Sequence, residues 1–436
     1  MERTRIFSLL KFYVVLGLSV VIGYFLSTLL WNHISLPFSN PYLASGKLAQ
    51  IEFNPVNNYI RFIIFVLMPV LVFALSLLVP SVKKLVLNVF SSLGKDTESS
   101  NANGVNQAKA SFLSEKFLII TLSLLVLFPC LVFAQEDFTT SGFDIFHEGE
   151  QITPAFNHIN GKGTWSGTLF VHGAFYDMFT AVLGWKLFGV NSIGAYRITV
   201  ELLKILVPVG LALLLFAIWR SFKDKTKDTS SLLVQTILFF YLVSLRIQNF
   251  DRRDVPLLFG MFFLIMALNK RSRVLYFVAG LFSSISAFYS LDMGIYFTAL
   301  VILFVPVVAL IKVYKPKDLA TYSAYLFSGV IFGWVVFYSL VGHKEFLSFI
   351  SNFGYFYKVK DLIDSYVYPF PSLLKSFRFT LPLILLSLNV LIYAVLFFFV
   401  YIKGRYKNEG VVHGLLTLIS LIHYRSALGR SDLTHV

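Results

Sequence analysis

The stretch FDIFHEGEQ, residues 143–151, sets Asp144, His147, Glu148, Glu150 and Gln151 into a chain that is otherwise mostly apolar. Three carboxylates and a histidine just past an apolar run suit proton transfer, which needs a carboxylate or imidazole within hydrogen-bond reach of the reacting proton. Further polar clusters recur along the chain: His172 and Asp177 in FVHGAFYDMF, Arg252, Arg253 and Asp254 in DRRD, Asp292 in YSLDMG, and Arg425, Arg430, Asp432 and His435 in YRSALGRSDLTH. Arginine forms bidentate contacts with phosphate oxygens. Carboxylates and arginines on one face therefore suit transfer of a group from a lipid phosphate. A carboxylate takes the proton of an acceptor hydroxyl, and the arginines hold the phosphate and stabilise the charge developing on the leaving group. The plainer readings are a solvated charge or cap for Asp177, a packing or capping residue for His172, and surface ion pairs of little energetic weight for DRRD. Asp292 lies between apolar helices, where an ionisable group is costly and marks a functional candidate.

The elements that must position these residues are membrane spans. The chain has 436 residues, of which 57% are hydrophobic and 14% charged, against about 25% charged in a soluble domain. The reading is an all-α polytopic membrane protein. Its net charge of +14 sits in short clusters between apolar runs, the pattern of cytoplasmic loops, so nucleic acid is not implied as a partner. Cys130 is the single cysteine, which excludes an intrachain disulfide framework and a cysteine-based metal site. No P-loop, Rossmann glycine fingerprint or Asp-x-Asp metal motif is present, so a membrane-embedded donor fits better than a soluble nucleotide-sugar domain.

Apolar runs predict about eleven spans, near 7–30, 60–80, 117–134, 195–219, 232–248, 255–268, 274–289, 294–311, 320–341, 381–402 and 411–423. The first has a basic start but is too long for a signal-peptide core, so the N-terminus is expected in the cytoplasm. The segments 1–6, 81–116, RSFKDKTKDTSS, NKRSR, KVYKPKDL and KGRYKNEG are rich in Lys and Arg and alternate with the polar clusters, which places those clusters outside. Residues 1–90 read as a two-helix hairpin, 91–116 as a flexible cytoplasmic linker, and 117–436 as the working bundle. Two outer segments, 135–194 and 342–380, mix aromatic and polar residues as amphipathic interfacial helices do. The last residues, GRSDLTHV, resemble mid-protein sequence, so the chain is expected to be a fragment.

From FDIFHEGEQITPAFNHINGKGTW through VHGAFYDMFTAVLGWKLFGVNSIGAYR, the sequence resembles the GT-C superfamily of polytopic glycosyltransferases. The resemblance covers roughly residues 117–220 by motif and the remaining helices by architecture. It implies a GT-C-like bundle in a bacterial cytoplasmic membrane, with an extracytoplasmic site that takes sugar from a polyprenyl-phosphate donor to a glycan, lipid or protein acceptor. Many relatives open the first outer loop with an Asp-Glu pair about thirteen residues before a Gly. Counting back from Gly161 gives Glu148, with His147 where Asp often stands. Glu148 is thus the favoured base and Asp144 the alternative. The donor phosphate is expected on Arg252, Arg253, Arg425 and Arg430, with His147, Glu150, His172, Asp177, Asp254, Asp292, Asp432 and His435 in support. Some relatives hold a divalent metal at this loop, for which Asp144, Glu148, Glu150 and His172 are the candidate ligands. The rival readings are a lipid-linked glycan polymerase or ligase and a glycolipid flippase, the latter expected to carry its polar residues at mid-bilayer.

Overall fold

The computed structural model describes residues 2–37, 54–95, 147–170, 172–223, 252–363, 368–404 and 406–429. Among these, every regular element is helical. Among the described residues, six helical stretches are long and apolar enough to cross a membrane: Phe7–Trp31, Pro55–Ser76, Ile193–Ile218, Leu291–Ile311, Pro316–Tyr355 and Phe377–Tyr401. Their outward faces carry large apolar side chains such as Phe7, Leu29, Leu71, Ile331 and Leu340, a surface suited to lipid. The predicted spans 117–134 and 232–248, together with Cys130 and Asp144, lie outside the described residues.

The helices fall into two compact units, Met1–Ser111 with Val359–Val436, and Phe112–Lys358. In the first, α1 (Glu2–Trp31), α2 (Pro55–Ser76) and α3 (Pro80–Lys95) share a unit with α12 (Phe377–Leu396) and α13 (Lys407–Gly429). Trp31, Phe62, Phe65, Tyr368, Leu383 and Tyr424 build one core from these helices. Composition had grouped the last two helices with the central bundle. Packing instead sets them with the N-terminal hairpin, a long-range choice that local pattern does not encode. Residues 91–95 of the expected linker continue α3.

The second unit holds α4 (His147–Ile159), a π-helical turn (Phe175–Phe179), α5 (Thr180–Phe188), α6 (Ile193–Lys204) and α7 (Leu206–Lys223). A 3-10 turn (Arg252–Asp254) then leads into α8 (Val255–Lys270), α9 (Arg273–Tyr289), α10 (Leu291–Ile311) and α11 (Pro316–Ile363). The predicted span 195–219 matches the candidate span Ile193–Ile218, within which α6 gives way to α7 at Ile205 because Pro208 cannot donate an amide to the turn before it. α8 has 16 residues, short for a span of about 20, yet Leu258, Met261, Leu264, Ile265 and Leu268 are all buried. Such a helix, apolar all round, is enclosed by protein.

Helices α8 to α11 run alternately up and down. Tyr276 meets Phe304 at a tilt and bonds Tyr314 at 3.0 Å, near one end of the bundle. Toward the other end, a Cβ on Gly294 would stand 2.2 Å from the Ala287 backbone, so α9 and α10 meet almost backbone to backbone. The basic turns Lys270–Arg273 and Lys312–Lys317 thus lie at one end, while Arg252–Asp254, Tyr289–Asp292 and Gly342 lie at the other. At Gly342 (φ 80°, ψ 164°) α11 bends. The break falls where the sequence ends the span 320–341 and begins the outer segment 342–380, and a second helical stretch follows it.

Candidate functional site

The α4 helix opens with Glu148 and Glu150, acids that suit the positive end of a helix. Glu148 and Gln151 are three residues apart and so share a face; Glu150 is about 200° around the axis from Glu148. Both oxygens of Glu148 are engaged by Arg197 of α6, Oε1 with Nε at 2.6 Å and Oε2 with Nη2 at 2.8 Å. The side chains are 14% and 23% exposed, sheltered enough for a bidentate charged pair to fix α4 against α6. Ser192 caps α6 by accepting from the Ala195 amide at 3.1 Å, which sets the register of Arg197 and its neighbour Tyr196. The Tyr196 hydroxyl donates to Gln151 Oε1 at 2.6 Å.

The same Gln151 oxygen accepts from Arg252 Nη2 at 3.1 Å, and Thr180 Oγ1 accepts from Arg252 Nη1 at 2.9 Å. Arg252 is only 3% exposed. A buried guanidinium needs neutral acceptors, a carboxylate or an aromatic face to offset its lost hydration. The Tyr176 ring supplies such a face, 4.8 Å from Arg252 and 5.6 Å from Arg253. Arg253 Nη1 in turn lies 3.6 Å from Asp292 Oδ2. Asp292 begins α10, where its Oδ1 accepts from the Met293 amide at 2.9 Å and from the Ser290 hydroxyl.

His172 and Asp177 complete the cluster. Asp177 Oδ1 pairs with His172 Nδ1 at 3.0 Å, and Oδ2 accepts from the His172 and Gly173 amides at 3.0 and 3.2 Å. The Leu291 amide donates to His172 O at 2.6 Å, which fastens this loop to the start of α10. Gly173 (φ 151°) permits the approach, because a Cβ there would stand 2.6 Å from Tyr289 O. The His172 ring meets Tyr176 edge-on at 5.5 Å. Burial disfavours a charged His172, but the hydrogen bond and charge of Asp177 outweigh it and raise the imidazole above its ordinary value. Beside the loop, Trp165, Phe170, Phe288, Phe349 and Asn352 line an aromatic cleft that reaches Gly173 and Leu291.

The loop before His172 is held from α11. Glu345 Oε2 accepts from the Trp165 and Ser166 amides at 2.7 and 3.2 Å, and Oε1 accepts from the Ser166 hydroxyl. Asn352 Nδ2 donates to Trp165 O at 2.8 Å and Thr168 O at 3.1 Å.

Of the residues singled out from sequence, Glu148, His172, Asp177, Arg252, Arg253 and Asp292 are joined by this network. Asp254 is buried at the N-cap of α8, without a side-chain cap. Asp144, Arg430, Asp432 and His435 lie outside the described residues, as do the side chains of His147 and Arg425. Of the candidate ligand set Asp144, Glu148, Glu150 and His172, Asp144 lies outside the described residues, and among those residues no three of His, Cys, Asp or Glu converge. Glu148 has turned to Arg197 and His172 to Asp177 instead. Arg197, Gln151, Tyr196, Tyr176, Thr180 and Glu345 were not singled out as site residues. The available signals were a lone arginine in apolar α6, and His172, Tyr176 and Thr180 at four-residue spacing. No protein-family model, curated protein or solved structure matches the chain.

Proposed function

We propose that the chain is a GT-C-like membrane glycosyltransferase with about eleven spans, which moves a sugar from a polyprenyl-phosphate carrier to a hydroxyl on a glycan, lipid or protein. In this reading it sits in a bacterial cytoplasmic membrane, with its N-terminus in the cytoplasm and its site on the extracytoplasmic face. The supporting observation is that Arg252 and Arg253 both lie against the Tyr176 ring, with Asp292, His172 and the Glu148–Arg197 pair in the same network. Two adjacent guanidinium groups suit a phosphate leaving group, whose charge grows as the sugar–oxygen bond breaks. The 3.6 Å contact of Arg253 with Asp292 is loose enough for a phosphate to share that guanidinium. The acceptor proton goes to a base of the same site. Glu148 and Asp144 are the loop carboxylates proposed for it, and Glu148 must leave Arg197 to serve.

The test gives purified protein labelled polyprenyl-phosphate sugars and a panel of acceptors. Wild-type transfer is expected, with a loss of about 100-fold on Arg252→Ala or Arg253→Ala. Glu148→Gln and Asp144→Asn are run beside them, and full transfer by both removes the carboxylates as base. The double engagement of Glu148 by Arg197 favours one second reading, a polymerase or ligase that relies on the arginines to hold a lipid diphosphate. Transfer from a lipid diphosphate that survives Glu148→Gln but not Arg253→Ala would select it. Glycolipid flipping in vesicles with no bond made or broken would replace both readings with a flippase.

A further inference from the structure

His172 is built into the site more firmly than a packing histidine requires. Its backbone is tied at both polar atoms, the amide to Asp177 Oδ2 at 3.0 Å and the carbonyl to the Leu291 amide at 2.6 Å. Its ring is tied at Nδ1 by Asp177 Oδ1 at 3.0 Å. Asp177 is buried and accepts at both oxygens, so Nδ1 carries the hydrogen in the neutral ring and Nε2 is left bare. Nε2 makes no hydrogen bond among the described residues, and the side chain is 23% exposed. A buried carboxylate that fixes the tautomer of a partly exposed imidazole is the arrangement of a general base. The groups that act on the ring are Asp177, Arg253 and Asp292, with Tyr176 edge-on. Through Leu291 and Asp292, the same start of α10 holds both the His172 carbonyl and Arg253.

We propose that His172 Nε2, aligned by Asp177, is the proton acceptor of this site. The proposal rests on the transferase reading and narrows it to one base. In the step, the acceptor hydroxyl gives its proton to Nε2 as its oxygen forms a bond to the sugar's anomeric carbon. The bond from that carbon to the carrier phosphate breaks, and the electron pair leaves on the phosphate, held by Arg252 and Arg253. The imidazolium then returns its proton to water through its exposed edge. Glu148 needs to break a two-point fork before it can do this, whereas His172 needs no rearrangement. Glu148 becomes a positioning residue that holds α4 on α6.

Asp177 also holds two loop amides, so His172→Gln carries the test, with Asp177→Asn beside it. The first arm measures transfer from about pH 5 to 9. Wild type is expected to rise through one ionisation above pH 6.5, the ordinary imidazole value. His172→Gln is expected to lose about 100-fold or more, and that rising limb with it. Transfer within about threefold of wild type and an unchanged pH limb in His172→Gln overturns the proposal. The second arm does not depend on transfer. Diethylpyrocarbonate modification of His172 is followed by peptide mass spectrometry against pH, with His158 and His343 as internal references. A reactive His172 whose midpoint lies above the ordinary imidazole value of 6.5, and falls in Asp177→Asn, supports the dyad. An inert His172, or a midpoint indifferent to Asp177, overturns it. If wild type transfers nothing while the second arm gives the expected result, the transferase reading fails and the proton-accepting dyad stands.

Discussion

Each charged side chain of the site is matched by a specific partner, and two of these matches make measurable claims. Glu148 and Arg197 are 49 positions apart in sequence and only partly shielded from water, so their pair is stronger than a surface ion pair and weaker than a fully buried one. A double-mutant cycle with Glu148→Gln and Arg197→Gln, read by chemical unfolding in detergent, is expected to give a coupling of about 1–3 kcal/mol. Additive single losses would mean that the fork does no more than fill space. The second match is His172 with Asp177. Its folded-state value lies above the ordinary 6.5 because Asp177 outweighs burial. A raised value means that the contact stabilises the fold fully below about pH 6.5 and that this stabilisation is lost as pH rises through the folded value. The difference in unfolding midpoint between wild type and His172→Gln is therefore expected to shrink as pH rises above 6.5. A difference that is flat across that window contradicts the pairing. The sequence shows these residues plainly, because few charges interrupt so apolar a chain. Their partners are not legible there: the Glu148 fork and the bond between Arg252 and Gln151 join positions that no local spacing connects.

At the scale of elements, the site depends on the break in helical geometry at Gly342. Glu345 stands three residues past Gly342, and its carboxylate gathers the Trp165 and Ser166 amides that lead toward His172. The φ of 80° and ψ of 164° at Gly342 belong to a region that side-chain-bearing residues enter only at about 1–3 kcal/mol. Gly342→Ala is expected to straighten α11, draw Glu345 from the loop and lower stability by about that amount. Hydrogen exchange at the Trp165 and Ser166 amides reads this directly. Both are expected to exchange faster in Gly342→Ala and in Glu345→Gln, and unchanged protection in both variants counts against the latch. Hydrophobic runs coincide with the six described helices long and apolar enough to span, since period and length are local properties. They place the end of the run 320–341 at Gly342, where helical geometry breaks. They also misjudged 91–95, where polar side chains on α3 look like linker until the Val86, Val89 and Phe90 face is seen to be buried.

For the whole molecule, the alternation of α8 to α11 turns a charge pattern into a direction. The basic turns at Lys270–Arg273 and Lys312–Lys317 share one end of this unit, and Arg252, Arg253, Asp292 and the Gly342 bend share the other. Short loops rich in Lys and Arg stay in the cytoplasm, so this separation supports the proposed extracytoplasmic placement of the site. Arg252 and Arg253 break the charge bias locally, and both lie against Tyr176, Arg253 also against Asp292. That engagement explains how two arginines stand at the site end without setting the orientation. Lys162, in the loop held by Glu345, and Lys315, in the second basic turn, are both exposed. In a Cys130→Ser background, Lys162→Cys is expected to react with a membrane-impermeant maleimide on intact cells. Lys315→Cys is expected to react only after permeabilisation. Labelling of both from the same side would break the alternation itself, and a reversed result would put the site in the cytoplasm. The second outcome would also remove the reason for a lipid-linked donor, because a cytoplasmic site has direct access to soluble nucleotide sugars.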